Sequence, residues 1–218
     1  MVRLRWQPEV GPWLAPIARV IREGGVAVIP TDTLYGFAAR ADRPAAVERV
    51  AAAKGRDPSS PFLLLVSEVG DLAAVAAAIP PPAVLGLIWP GPVTILVAGR
   101  PELDRRFTGA TGTVAVRCPD DPVLRTLLGE IGTPVLSTSV NRHGAPPLAD
   151  PSAIADEFGP AIDLLADHGV KAGQPSTIVD LSRRPPVLVR AGSRAVDLGE
   201  LERAWKRAQE TEMRGGAA

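Results

Sequence analysis

Residues 24–36, GGVAVIPTDTLYG, constrain the fold more than any other stretch. Two glycines open a turn. Val26, Ala27, Val28 and Ile29 form an apolar run bounded by Gly25 and Pro30, a pattern that predicts a short strand buried on both faces. Pro30 has no N–H for a ladder, so the strand should stop there. Thr31, Asp32 and Thr33 then set two hydroxyls and a carboxylate at its end. Polar groups packed there cost about 1–3 kcal/mol each if left unpartnered. Two kinds of partner are open: a ligand, or nearby backbone in a side-chain-stabilised turn.

The rest of the chain surrounds that strand with alternating elements. Leu14, Ile17, Val20 and Ile21 predict a helix over 12–23 that stops at Gly24–Gly25. Alanine-rich segments predict helices over 43–53 and 69–79, the second broken by Pro80–Pro82, with a short helical piece at 83–88. Residues 57–61 read as a turn, 89–92 as a rigid turn and 108–113 as a polar loop. Strands are expected at 62–66, 93–98, 114–117, 134–136 (running into Ser137–Asn141), 162–166, 176–180 and 187–190. Helices are expected at 122–130, 150–158 and 198–213, with 214–218 frayed. STIVD and PVLVR read as a late hairpin, so the fold class expected is single-domain α/β, a mixed sheet flanked by helices. At 218 residues the chain suffices for one sizeable core and is short for two.

Composition narrows the function classes. Lys+Arg and Asp+Glu are 24 each, which argues against nucleic-acid binding by bulk charge. Cys118 is the one cysteine, as suits a reducing compartment. The first residues lack an apolar core, and no run of 18 apolar residues occurs, so neither signal peptide nor membrane span is expected and a cytoplasmic location is. His143 and His168 are the only histidines, which disfavours a metal cluster, and no phosphate-loop or dinucleotide fingerprint is present. Ser139 lacks the nucleophile-elbow pattern. What recurs is hydroxyls and cations at the ends of apolar strands: Thr31 and Thr33, Thr113 and Arg117, Ser137, Ser139 and Asn141, Ser176 and Thr177, and Arg190, with Lys54 and Arg56 in a glycine-containing loop. Strand ends of open α/β sheets are common ligand sites, and cations with neutral hydroxyls and few acids suit an anion.

Several motifs resemble one family in order: PTDTLYG (30–36), KGR followed by proline (54–58), WPGP (89–92), TVAVR (113–117), STSVN (137–141), STIVD (176–180) and VLVRAG (187–192). Over about residues 13–193 the chain is similar to the TsaC/YrdC family of L-threonylcarbamoyladenylate synthases. The resemblance implies a twisted mixed sheet around a concave cationic pocket, with a catalytic domain at 10–194 and a helical tail at 195–218. It implies synthesis of L-threonylcarbamoyl-adenylate from L-threonine, bicarbonate or CO2 and ATP, with pyrophosphate released. The product would serve threonylcarbamoyladenosine modification of tRNA beside the anticodon, through a separate transferase complex. By motif, Thr33, Thr113, Arg117 and Ser176, with backbone near Leu65, would hold threonine. Lys54, Arg56, Ser139, Asn141 and Arg190 would hold ATP, with backbone near Pro147 and Ser60 as further positions; Lys54 and Arg56 would be catalytic. Mg2+ would accompany ATP, held mainly by phosphate oxygens and water, with no protein metal site. Some members carry a second C-terminal domain over the pocket; here closure would fall to a loop such as Arg142–Asp150. The rivals are a double-stranded RNA or tRNA-binding module of the same fold, and a carbamoyl-adenylate activity as in hydrogenase-maturation proteins.

Overall fold

In the computed structural model, which describes residues 1–57 and 60–215, the strands are β1 (Val2–Arg5), β2 (Ala27–Pro30), β3 (Tyr35–Arg40), β4 (Leu63–Leu65), β5 (Val93–Ala98), β6 (Thr113–Arg117), β7 (Val135–Ser139), β8 (Leu164–Asp167), β9 (Thr177–Asp180) and β10 (Val187–Arg190). Among the described residues they form one mixed sheet in the order β1-β8-β2-β3-β7-β4-β6-β5-β9-β10. The helices are α1 (Leu14–Arg22), α2 (Pro44–Lys54), α3 (Pro82–Leu85), α4 (Arg105–Thr108), α5 (Pro122–Ile131), α6 (Pro151–Phe158) and α7 (Leu198–Gly215). Residues 58–59 in the expected 57–61 turn, and 216–218 in the expected frayed end, lie outside the described residues.

Strand alternation divides the apolar residues between two cores. Val28, Phe37 and Leu64 point into the larger core, beside α2 and α6. Ala27, Ile29, Ala38, Leu65 and Val135 point to the other face, where α1 and α5 lay Leu14, Ile17, Ile21, Leu124 and Leu127 against the sheet. Two residues along from Leu65 and Val135, on that same face, Leu63 and Ser137 line a cavity, Leu63 at the edge of the core. The helix layer therefore covers only part of this face, and the site occupies the uncovered part.

Three expectations change. Residues 69–79 do not form a helix: a 3-10 turn spans Val69–Ala74, and Ala76 joins a bridge to Gly99. Asp71 accepts from the Ser67 and Glu68 amides, and the Ala77 amide donates to Ala98, so local capping and cross-chain pairing override alanine's helix propensity. Residues 35–40, for which no element is expected, form β3, which pairs antiparallel with both β2 and β7. The sheet and core also extend past residues 10–194: β1 pairs parallel with β8, and α7 buries Leu201 and Ala204 in the larger core.

Candidate active site

In the turn after β2, Thr31 takes nearby backbone as its partner, while Thr33 and Asp32 meet Arg117. The Thr31 hydroxyl donates to the Leu34 carbonyl at 2.8 Å and accepts from the Thr33 and Leu34 amides, so Thr31 serves the turn itself. Thr33 is turned inward and accepts from Arg117 Nη1 at 2.9 Å. Asp32 lies 3.3 Å from Arg117 Nη2 as an ion pair, with side chains 8% and 3% exposed. The Arg117–Asp32 salt bridge is thus buried, not superficial. A site of cations and neutral hydroxyls with few acids is corrected to one with a carboxylate beside its most buried cation.

Thr31, Thr33 and Arg117 line a cavity of about 290 Å3 on the open face of the sheet, with Asp32 behind Arg117 and outside the lining. One end is formed by Thr33, Arg117, Thr94, Ser176 and Arg190. Thr94 and Ser176 share a 2.8 Å hydroxyl contact, and Arg190 donates to the Ser176 carbonyl from Nε and Nη2 at 3.2 and 2.8 Å. The floor is Leu63, Ala115 and Ser137, register partners across β4, β6 and β7. Gly36 borders it because a Cβ there would meet Ser137 Oγ at 2.9 Å. The other end holds Arg56, Pro61, Thr138 and Ser139. The expected strand-end residues Thr33, Arg117, Ser139, Ser176 and Arg190 thus surround a floor on the sheet face itself.

Helix α2 delivers the second group of cations. Lys54 is its last residue, and Gly55 at φ +57° reverses the chain so that Arg56 turns back toward β7. Lys54 Nζ donates to the carbonyls of Ser139 (2.5 Å) and Asn141 (3.0 Å) and to Asn141 Oδ1 (2.9 Å). Ser139 Oγ donates to the same Oδ1 at 2.6 Å. All three ammonium protons thus fix the Ser139–Asn141 turn. Burial, with the charge of Arg56 nearby, pushes Lys54 down to about 8. Arg56 donates to the carbonyls of Ser60 (2.8 Å) and Pro61 (2.6 Å) and to Thr138 Oγ1 (3.3 Å), and stacks 4.4 Å from the Phe62 ring centroid. Burial lowers its pKa from the ordinary value. Arg117 is also lowered by burial, with Asp32 opposing the shift and Arg190 adding to it.

The expected site residues fall into three groups. Thr33, Arg56, Arg117, Ser139, Ser176 and Arg190 line the cavity. Lys54 and Asn141 stand behind its wall, bonded to each other, and Ser60 acts through its carbonyl on Arg56. Leu65, Thr113 and Pro147 are outside the lining. Leu65 packs in the α1–α5 core while Leu63 takes the lining position, Thr113 Oγ1 bonds Thr111 Oγ1 at 2.8 Å, and Pro147 is exposed. The 142–150 loop is tied back by His143 N to the Lys54 carbonyl and Leu148 N to the Val140 carbonyl, and none of it lines the cavity. Asp32, Thr94 and Thr138 were not singled out as site residues. Asp32 had a signal, as the sole acid between the two threonines of the elbow; Thr94 had a weaker one, a lone hydroxyl inside VTILVA.

A sequence model of the Sua5–YciO–YrdC family, described as telomere recombination, matches residues 19–192. The threonylcarbamoyl-AMP synthase of Pyrococcus abyssi is 34% identical over 199 residues, 89% of this chain and 58% of that protein. The synthase of Bacillus subtilis is 31% identical over 185 residues, 83% of this chain and 54% of that protein. The chain thus spans somewhat more than half the length of these curated relatives. Among solved structures, P. abyssi Sua5 complexed with L-threonine superposes with a TM-score of 0.81 at 32% identity, over 93% of this chain and 60% of that one.

Proposed function

Because this chain belongs to the Sua5–YciO–YrdC family, we propose that it makes L-threonylcarbamoyl-adenylate from L-threonine, bicarbonate and ATP. The observation that carries this reading is the two-ended cavity. One end pairs Arg117 with hydroxyls of Thr33 and Ser176, a setting for a small polar carboxylate. The other presents Arg56 beside a Lys54-braced turn with no carboxylate partner in that hydrogen-bond set, a setting for a polyphosphate. The solved relative complexed with L-threonine supports an amino-acid ligand, and the Arg117 chemistry assigns it to the first end.

The reaction needs no protein nucleophile. The threonine amine, once deprotonated, adds to bicarbonate-derived CO2 to give a carbamate. A carbamate oxygen then attacks the α-phosphorus in line, the bond to the bridging oxygen breaks, and pyrophosphate leaves. Such a nucleotidyl transfer depends on positioning and charge stabilisation, which fixed cations and hydroxyls supply. Arg117 and Ser176 would orient threonine over the Leu63–Ala115 floor; Arg56 and the Ser139–Asn141 turn would hold the phosphates. Among the described residues no group of three or more His, Cys, Asp or Glu is placed to hold a metal. Mg2+ accordingly enters as part of the nucleotide substrate, carried by phosphate oxygens and water.

The product would pass to a separate transferase that modifies tRNA, in the cytoplasm. Among the described residues no helix is long and apolar enough to cross a membrane. The deciding experiment is pyrophosphate release from ATP with each substrate withheld in turn. Release that requires both L-threonine and bicarbonate is expected. ATP binding without threonine-dependent release would overturn the assignment.

A further inference from the structure

The Arg117 end contains a group that the reading above leaves without a task. Asp32 sits on the turn after β2, and its Oδ2 accepts weakly from the Asp120 amide at 3.4 Å. Its Oδ1 is buried and makes no hydrogen bond, only the 3.3 Å approach to Arg117 Nη2. Arg117 Nε is likewise buried without a hydrogen-bond partner. A pair built only to neutralise a buried arginine would be expected to satisfy these atoms, since unpartnered buried polar groups are costly. The pair is loose, and its Arg117 lines the cavity with Asp32 3.3 Å behind it.

The hydroxyl network has a matching bias. When the Thr31 proton goes to the Leu34 carbonyl, Thr33 is the donor in the 2.9 Å contact between the two hydroxyls. Thr33 already accepts from Arg117 Nη1. What its hydroxyl has left for a ligand is a lone pair, and it therefore asks for a donor.

We infer that Asp32 is a positioning and specificity-determining residue that makes this end of the cavity select a zwitterion, an α-amino acid, over a plain carboxylate. It acts through Arg117. By offsetting the guanidinium charge it removes most of the pull that an uncompensated arginine would exert on any anion. It leaves a dipole, positive at Arg117 and negative at Asp32, that favours a ligand carrying both charges. Arg190 beyond Ser176 would otherwise reinforce selection for anions alone. The inference rests on the amino-acid assignment proposed above and adds the residue responsible for discrimination.

The test uses the full chain and two probes, L-threonine and (R)-3-hydroxybutyrate, which is threonine without its ammonium. Dissociation constants are measured by calorimetry for wild type and for Asp32→Asn, whose amide keeps the shape and removes the charge. Wild type should favour L-threonine by about tenfold or more, and Asp32→Asn should shrink that ratio by about fivefold or more, as the loss of a charged partner implies. A ratio unchanged in Asp32→Asn assigns the residue to structure alone and overturns the inference. If the variant fails to fold, wild type still decides: similar affinity for the two probes overturns the inference, and strong preference for L-threonine upholds it. Failure of wild type to bind L-threonine at all would overturn the amino-acid assignment with it, whereas binding without discrimination overturns this inference only.

Discussion

Arg117 at one end of the cavity is buried and paired with a carboxylate, Asp32, whereas Arg56 at the other is half-buried among neutral acceptors. Arg56 is held by two carbonyls, a threonine hydroxyl and the face of Phe62, and Lys54 by carbonyl and amide oxygens. Neutral acceptors fix a cation's direction without cancelling its charge. At one end the charge of Arg117 is thus close to balanced, leaving Arg190, and the other end keeps the field of two cations. The difference teaches that residue type alone does not say what a site attracts; the charge of the partner does.

The largest effect should come from breaking the balanced end. Arg117→Met leaves Asp32 buried and unpaired and should destabilise the chain by about 3–5 kcal/mol in urea unfolding. Adding Asp32→Asn to that variant should restore part of the loss. Full stability of Arg117→Met would mean that the pair is not electrostatically coupled. At the unbalanced end, Lys54→Ala or Arg56→Ala should slow adenylate formation at least about tenfold, roughly 1.4 kcal/mol of transition-state stabilisation, read as pyrophosphate release. Unchanged turnover in either would remove that cation from the chemistry.

The same comparison predicts a pH dependence with a definite sign. Lys54 is pushed down to about 8, so the free protein loses that positive charge as pH rises through 8. The value of kcat/KM for ATP should therefore fall above about pH 8, and Lys54→Arg should flatten the decline. A profile that stays level to pH 9 in wild type would assign the proton elsewhere. The smallest effect is expected from Thr94→Val, which removes one hydroxyl partner of Ser176 while nearly keeping its shape. A rise of a fewfold in the KM for threonine, about 1 kcal/mol, with the KM for ATP unchanged, would confine Thr94 to the balanced end.

Much of this was legible in one dimension. The apolar run 26–29, the helix at 12–23 and the strands ending on Arg117 and Arg190 follow from local periodicity and from proline and glycine, which act within a few residues. The motifs at Lys54–Arg56 and Ser139–Asn141 are likewise local, and they place Arg56 and Ser139 in the cavity lining. Tertiary structure alone decided the rest, for one reason: it depends on which strands become neighbours. Strand β3 exists because β2 and β7 flank it, and the expected helix at 69–79 yields to pairing with Ala98 and Gly99. Leu63 lines the cavity while Leu65, two residues on and on the same face, lies under α1 and α5; only the extent of that helix layer separates them. The carboxylate of Asp32 meets the guanidinium of Arg117 across a separation of 85 positions, and no local pattern of charge encodes that contact.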